Sequence, residues 1–235
     1  MSPQQPLSTS PGAVPSLKPD ECRVLGVLVE KALTTPQQYP LTLNALTLGC
    51  NQKNNRFPVV EWDEDRVLDA VDGLRAKAGG LVREAMLSGS RVAKYRHQAR
   101  EVFALETAPL VILTELFLRG PQSVGELRQH ASRMHPIASL EETQAILDAL
   151  MSRAMVKEFP PPPGSRAKLY AQLVCPSLHR IEARSPVDAA AGDAPDAPAE
   201  THHAGSPLQA RLEALEQEVR TLKTELAALR TSLGA

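Results

Sequence analysis

Apolar positions recur along this chain in two periods, helical and alternating, and the same order of elements is written twice. In the second half, Leu110, Leu113, Thr114 and Phe117 follow Pro109 at helical spacing, and Arg119-Gly120-Pro121 stops that helix. Ser123-x-x-Glu126 and Ser139-x-x-Glu142 read as capping boxes, in which hydroxyl and carboxylate satisfy orphan backbone N–H groups. The first opens a helix through Leu127 and Ala131, and the second opens one that buries Ile146, Leu147 and Leu150. Residues 155–159 and 168–173 predict two strands around the turn at 160–164. The first half gives helices over about 19–32, 42–52 and 63–77, then strands near 81–87 and 92–98 around Ser88-Gly89-Ser90.

Short strings line up between the halves in the same order. LTLNAL at 41–46 matches QSVGEL at 122–127, and LDAV at 68–71 matches LDAL at 147–150. LVRE at 81–84 matches MVKE at 155–158, and AKY at 93–95 matches AKL at 167–169. Three helices followed by a two-stranded hairpin predict a winged helix-turn-helix, against the plainer alternative of a generic small α+β repeat. The expected fold class is therefore mainly α (α+β), with two tandem winged helix-turn-helix domains at 18–106 and 107–184.

The most regular pattern lies at the C-terminal end. Leu208, Leu212, Leu215, Val219, Leu222, Leu226, Leu229 and Leu233 step by alternating four and three residues, the seam of a coiled-coil helix over 208–233. With Leu208, Leu215, Leu222 and Leu229 at d, the g–e′ pairs of a parallel dimer are Arg211–Glu216, Glu218–Lys223 and Glu225–Arg230, all of opposite sign. A homodimer is the expectation, and a helix folded back on its own chain is the alternative.

Composition marks out the rest. Residues 1–17, without Lys or Arg, read as a disordered lead-in rather than a secretory signal. Residues 185–207 are rich in Ala, Pro, Asp and Gly and read as a disordered linker, because they cannot bury enough apolar surface to offset their ordering entropy. The longest apolar run, 110–118, contains Glu115 and falls short of the roughly 20 residues a membrane span needs, so no membrane association is expected. Three cysteines without C-x-x-C argue for reduced thiols and a cytoplasmic location, and against a disulfide framework or a zinc site.

EKALTTPQQYPLTLNALTLGCNQKNNRFPV at 30–59, RVAKYRH at 91–97 and LRGPQSVGELRQHASRM at 118–134 resemble the YceH family of uncharacterised bacterial proteins. The likeness covers roughly residues 18–174, and the C-terminal Leu-heptad helix is similar too. Phe57 departs from it, standing where the family pattern has an acidic residue. The resemblance implies tandem winged helices and supplies no biochemical activity.

No catalytic signature is present: there is no G-x-x-x-x-G-K-[ST], G-x-G-x-x-G, H-E-x-x-H or G-x-S-x-G. The expectation is a protein that is not an enzyme and takes no cofactor or metal. Cys175 and His179 are four apart, but two ligands do not make a structural zinc site. Cys22 and Cys50 read as small buried hydrophobes. The loop CNQKNNRFP at 50–58 has two readings. Its Lys53, Asn54 and Arg56 can clasp phosphates or base edges, or the whole segment can be a helix C-cap and turn, since Asn tolerates left-handed backbone.

Charge separates two functions. Residues 17–100 hold 13 basic and 10 acidic side chains, while residues 185–235 hold 4 and 8. Arg91, Lys94 and Arg96 lie in or beside the first hairpin, with Arg83 on its first strand, and alternation puts Lys94 and Arg96 on one face. That wing suits DNA phosphate. The third helices do not: residues 61–77 carry six acids against three bases, a net −3 that opposes phosphate in a groove. Two partners therefore stand open besides a second copy of the chain. One is duplex DNA, bound by Lys53, Asn54, Arg56, Arg91, Lys94 and Arg96 in a regulator or architectural protein. The other is a protein, docked by winged helices acting as an adaptor.

Overall fold

The two periods are realised as seven α-helices and two small antiparallel sheets in a computed structural model that describes residues 14–77, 79–85 and 92–179. This is a mixed α+β fold, mostly helical. Lead-in residues 1–13, the linker 185–207 and the coiled-coil segment 208–233 lie outside the described residues.

The first half runs α1 (Pro19–Thr34), a single 3-10 turn (Pro36–Gln38), β1 (Leu41–Thr42), α2 (Leu43–Cys50), α3 (Glu64–Ala76), β2 (Val82–Ala85) and β3 (Lys94–His97). After a short connector, α4 (Ala99–Phe103), the second half runs α5 (Thr107–Arg119), α6 (Val124–Ala131), α7 (Leu140–Ser152), β4 (Val156–Phe159) and β5 (Leu169–Gln172). β1, the 3-10 turn and α4 are too short to show a period in the sequence.

Helix starts follow the chemistry of orphan N–H groups. Thr42 Oγ1 accepts from Ala45 N at 3.2 Å, and Asp63 Oδ1 accepts from Arg66 N at 2.9 Å. At α6 the predicted box closes both ways: Ser123 N donates to Glu126 Oε2 at 2.7 Å and Glu126 N to Ser123 Oγ at 3.4 Å. At α7, Ser139 Oγ accepts from Glu142 N at 3.1 Å, while the Glu142 carboxylate accepts from Ala138 N, one residue earlier than a full box requires.

Both halves form the same strand pattern. In the first, β1 and β2 flank β3, with Leu41 opposite Tyr95 and Glu84 opposite Tyr95. In the second, Glu158 lies opposite Tyr170 on β5, and Gln122 bridges Tyr170 where the first half has β1. Tyr95 thus corresponds to Tyr170, so the expected match of AKY at 93–95 with AKL at 167–169 is one residue out of register. Because side chains alternate along a strand, that slip exchanges the two faces of the second hairpin.

The centre of the molecule is the pair α1 and α5. Ten consecutive residues of each are buried, Glu21 to Glu30 and Leu110 to Arg119. One hydrophobic cluster runs through both halves, with Leu25, Leu28, Leu116 and Phe117 fully enclosed. Gly26 permits the close approach: a Cβ there would lie 2.8 Å from Leu118 Cδ2 and 3.4 Å from Phe117 Cβ.

A helix buried on every side leaves its charged residues no water, and here they meet across the seam. Glu30 of α1 is 2% exposed and accepts from Arg56 in its own half and from Arg133 in the other. Arg133 also donates from Nε and Nη2 to Glu115 Oε1 of α5, at 3.1 and 2.7 Å. Arg119 pairs with the same Glu115 carboxylate at 3.4 Å. Leu17 N→Val174 O at 3.0 Å and Phe57 N→Leu118 O at 2.8 Å add backbone links between the halves. Burial alone would raise the Glu30 pKa, yet Arg56, Arg133 and Lys31 hold it down to about 2.

This seam makes three testable predictions. Gly26→Ala, although it favours helix, should destabilise the chain by about 1–3 kcal/mol through overpacking against Leu118, read as a lower urea midpoint. Glu30→Ala leaves the buried Arg56 guanidinium without a carboxylate, while Arg133 keeps Glu115, and should cost about 3–5 kcal/mol. A carboxyl whose folded pKa is depressed stabilises above its unfolded value and loses that contribution as pH falls. The urea midpoint of the wild-type chain should therefore drop as pH falls from about 4.5 toward 2, and a folded Glu30→Gln variant should show a smaller drop over that window.

Candidate nucleic-acid interface

The loop after α2 proves to be a clip. Asn51 caps α2, and its side chain grips Trp62, donating to Trp62 O at 2.8 Å and accepting from Trp62 N at 2.9 Å. Asn55 takes a left-handed φ of 59° and accepts from Arg119 Nη2. Phe57 stacks on His179 with ring centroids 6.1 Å apart, and the Phe57 carbonyl accepts from His179 Nε2 at 2.6 Å. His179 thus holds Phe57 by both ring and carbonyl.

Arg56 does not belong to an exposed phosphate contact. Its side chain is fully buried, donating to Gly49 O at 3.2 Å, Asn55 O at 2.9 Å, Gln52 Oε1 at 2.9 Å and the Glu30 carboxylate. Its sequence neighbours gave no sign of this, because Glu30 is 26 residues away in sequence. Lys53 and Asn54 form the exposed tip of the loop.

The first hairpin carries the free cations. Arg83 lies directly opposite Arg96, and Ala85 opposite Lys94, so all three basic residues share one face. Val82 and Tyr95, on the other face, are buried. Among the described residues the side chains of Arg83, Lys94 and Arg96 make no hydrogen bond or ion pair. Arg91 lies outside the described residues. The sequence places Arg83 on the first strand, and only the register pairs it with Arg96.

The hairpin is anchored at its base by Tyr39, whose hydroxyl accepts from His97 N at 2.6 Å. His97 Nδ1 in turn accepts from Ala99 N at 3.3 Å, and burial lowers the His97 pKa to about 4. At neutral pH this imidazole is uncharged and adds nothing to the positive face.

The third helix of the same half has no comparable surplus. Arg66 is held by Asp20 at 2.8 and 3.1 Å and lies over the Trp62 ring at 4.7 Å. Arg75 pairs with Asp72 at 3.2 Å and Glu84 at 3.5 Å, and Lys77 pairs with Glu21 at 3.2 Å. Asp65 and Asp69 remain exposed on α3. In the second half, Arg153 turns away to donate to Ala104 O at 2.9 Å, leaving Glu141, Glu142 and Asp148 exposed along α7.

The second hairpin does not repeat the basic face. The positions of Arg83, Lys94 and Arg96 correspond to Lys157, Leu169 and Ala171. Lys157 lies over the Phe159 ring at 5.2 Å, and Lys168 pairs with Glu158 at 2.8 Å. Among the described residues there is no cluster of three His, Cys, Asp or Glu able to hold a metal, and no helix long and apolar enough to cross a membrane.

Comparison with known proteins agrees with the motifs at 30–59, 91–97 and 118–134. A family described as "Protein of unknown function, DUF480" matches residues 17–165. A UPF0502 protein of Geotalea daltonii is 47% identical over 173 residues, covering 73% of this chain and 78% of that one. Another, from Citrifermentans bemidjiense, is 48% identical over 177 residues, covering 74% and 81%. A third, from Shewanella oneidensis, is 40% identical over 222 residues, covering 91% of this chain and 97% of its own length. Two-thirds and more of these relatives' length is shared, and the chain belongs to this DUF480 family of bacterial UPF0502 proteins.

Proposed function

We propose that the two halves are tandem winged helix-turn-helix units and that the protein is a non-enzymatic DNA-binding homodimer of the cytoplasm. Three helices and a hairpin in each half support the winged-helix reading. The observation that carries DNA binding is the charge division within the first half: Arg83, Lys94 and Arg96 are unpaired on one exposed face, while Arg66, Arg75 and Lys77 are each neutralised by an acid. In this mode the first wing lies along the phosphate backbone and the acidic α3 stands off from the groove. Such contacts position a protein without reading bases, which suits an architectural role better than recognition of a fixed operator. Lys53 and Asn54 at the loop tip are the second candidate contact. Dimerisation through Leu208, Leu212, Leu215, Val219, Leu222, Leu226, Leu229 and Leu233 would join two weak wings and raise their effective concentration.

A protein-interaction adaptor is the second reading. Its support is the acidic exposed face of α7 beside the 48% exposed Leu140, together with Leu48 on α2 at 64%. Neither feature serves phosphate.

Fluorescence anisotropy with random-sequence duplex DNA, titrated with salt, distinguishes the two. Changing Arg83, Lys94 and Arg96 together to Ala should flatten the log–log salt slope by roughly 2.7 per wing, about 0.9 for each lost phosphate contact. An unchanged slope removes the wing from the interface, and absence of binding at low salt favours the adaptor. Changing Leu215 and Leu222 to Asp should leave a folded monomer by light scattering, whereas a persistent dimer places the interface elsewhere.

A further inference from the structure

The second half holds a groove that the proposed DNA contact does not use. It has a volume of about 540 Å³ and lies between the start of α6, α7 and the second hairpin. Tyr170, only 2% exposed, lines it, with its hydroxyl 3.1 Å from Gln144 Oε1 and 3.0 Å from Glu158 Oε2. A phenol carries one hydrogen, so it donates to only one of these two acceptors at a time. Neither acceptor can turn into a donor. Gln144 Nε2 is committed to Asp148 Oδ1 at 2.8 Å, which leaves Oε1 facing Tyr170. Hydrogen bonds from Lys168 and Tyr170 hold the Glu158 carboxyl below the usual carboxylate range, so at neutral pH it is ionised and only accepts. The groove therefore presents more acceptor capacity than its hydroxyl can meet, which favours a ligand that brings N–H donors.

Donors stand beside these acceptors. Lys168 Nζ lies 2.8 Å from Glu158 Oε1, and Val124 and Gly125 carry the first backbone N–H groups of α6, which have no carbonyl one turn earlier to bond. The Ser123 hydroxyl is taken by Glu126 Oε2 at 2.7 Å and plays no part. The first half provides an internal contrast. There the second residue of the equivalent helix is Asn44, whose side chain reaches from α2 to α3 and donates to Glu64 Oε1 at 3.2 Å. In α6 that position is Gly125, where an added Cβ would meet nothing within 4 Å, so a ligand can approach the backbone directly.

We propose that this groove binds a free α-amino acid, with the ammonium group on Glu158 and Gln144 Oε1 and the carboxylate on Lys168 and the opening turn of α6. The groove carries one carboxylate and one ammonium in contact, so a ligand with a single charge would meet a like charge beside its partner. A zwitterion, with its two charges on neighbouring groups, meets both with the opposite sign, and its carboxylate gains from the α6 N–H groups and dipole. Val124 and Ala167 offer an apolar wall to the side chain, which points to an aliphatic amino acid. The side chains of Glu158 and Lys168 keep 36% and 60% of their surface exposed, so water screens these contacts. Binding of that kind is reversible, suited to sensing an abundant metabolite rather than to holding a cofactor.

The full-length protein should be titrated with each protein amino acid by calorimetry, L-leucine first, and the contact mapped by amide-resolved NMR. The expected result is saturable binding of an aliphatic amino acid that shifts the Gly125 and Lys168 amides. Its amide, which lacks the carboxylate, and its deaminated acid, which lacks the ammonium, should each bind at least about tenfold more weakly. Glu158→Gln should weaken binding to a similar extent, and Gly125→Asn, which imports the first-half residue, should abolish it. If Gly125→Asn does not fold, Glu158→Gln and the two analogues decide. The proposal is overturned if no aliphatic amino acid binds, if either analogue binds as tightly as the amino acid, if Glu158→Gln binds like the wild type, or if the shifts fall outside the groove.

Discussion

The structure hangs on a carboxylate pair placed where two buried helices cross. Glu30 on α1 and Glu115 on α5 are both almost without solvent, and Arg133 reaches both. A buried carboxylate without partners would be a heavy penalty on the fold, whereas one held by two guanidinium groups is tolerated and fixes geometry. The guanidinium of Arg133 comes from the turn after α6, and that of Arg56 from the loop after α2. The halves therefore cannot slide or rotate about the α1–α5 crossing without stranding charge, and Gly26 keeps that crossing close enough for the network to form.

The same constraint accounts for the loop at 50–58. Its density of amide and cationic side chains suggests a ligand clasp, but most of those groups face inward. Asn51 holds Trp62, Asn55 meets Arg119, and Arg56 meets Glu30. Phe57 adds a stack on His179 and a backbone bond to Leu118. The loop is a strap between halves, with Lys53 and Asn54 exposed at its tip.

With its interior charges committed to the seam, the molecule has few basic groups to spare. Those on α3 are paired, and Arg153 of α7 caps the connector. Besides Lys53 at the loop tip, the described residues keep a basic face on the first hairpin, where antiparallel pairing brings Arg83 against Arg96. Like charges set directly across a sheet cost stability in isolation. On this exposed face the proposed DNA contact would offset that cost.

Local chemistry determined the elements. Caps at Ser123 and Ser139, the stop at Gly120 and the helical spacing of Leu110, Leu113 and Phe117 fixed where helices begin, end and face, because those signals act within one or two turns of chain. The family motifs were likewise legible as written. Tertiary structure decided the rest. Arg56 looked like a surface cation until a carboxylate distant in sequence claimed it, and Arg83 joined Lys94 and Arg96 only through the register of β2 on β3. The one-residue slip in matching the two hairpins had the same origin: strand period is two, short strings carry no register, and hydrogen bonding to a neighbouring strand alone says which face turns outward.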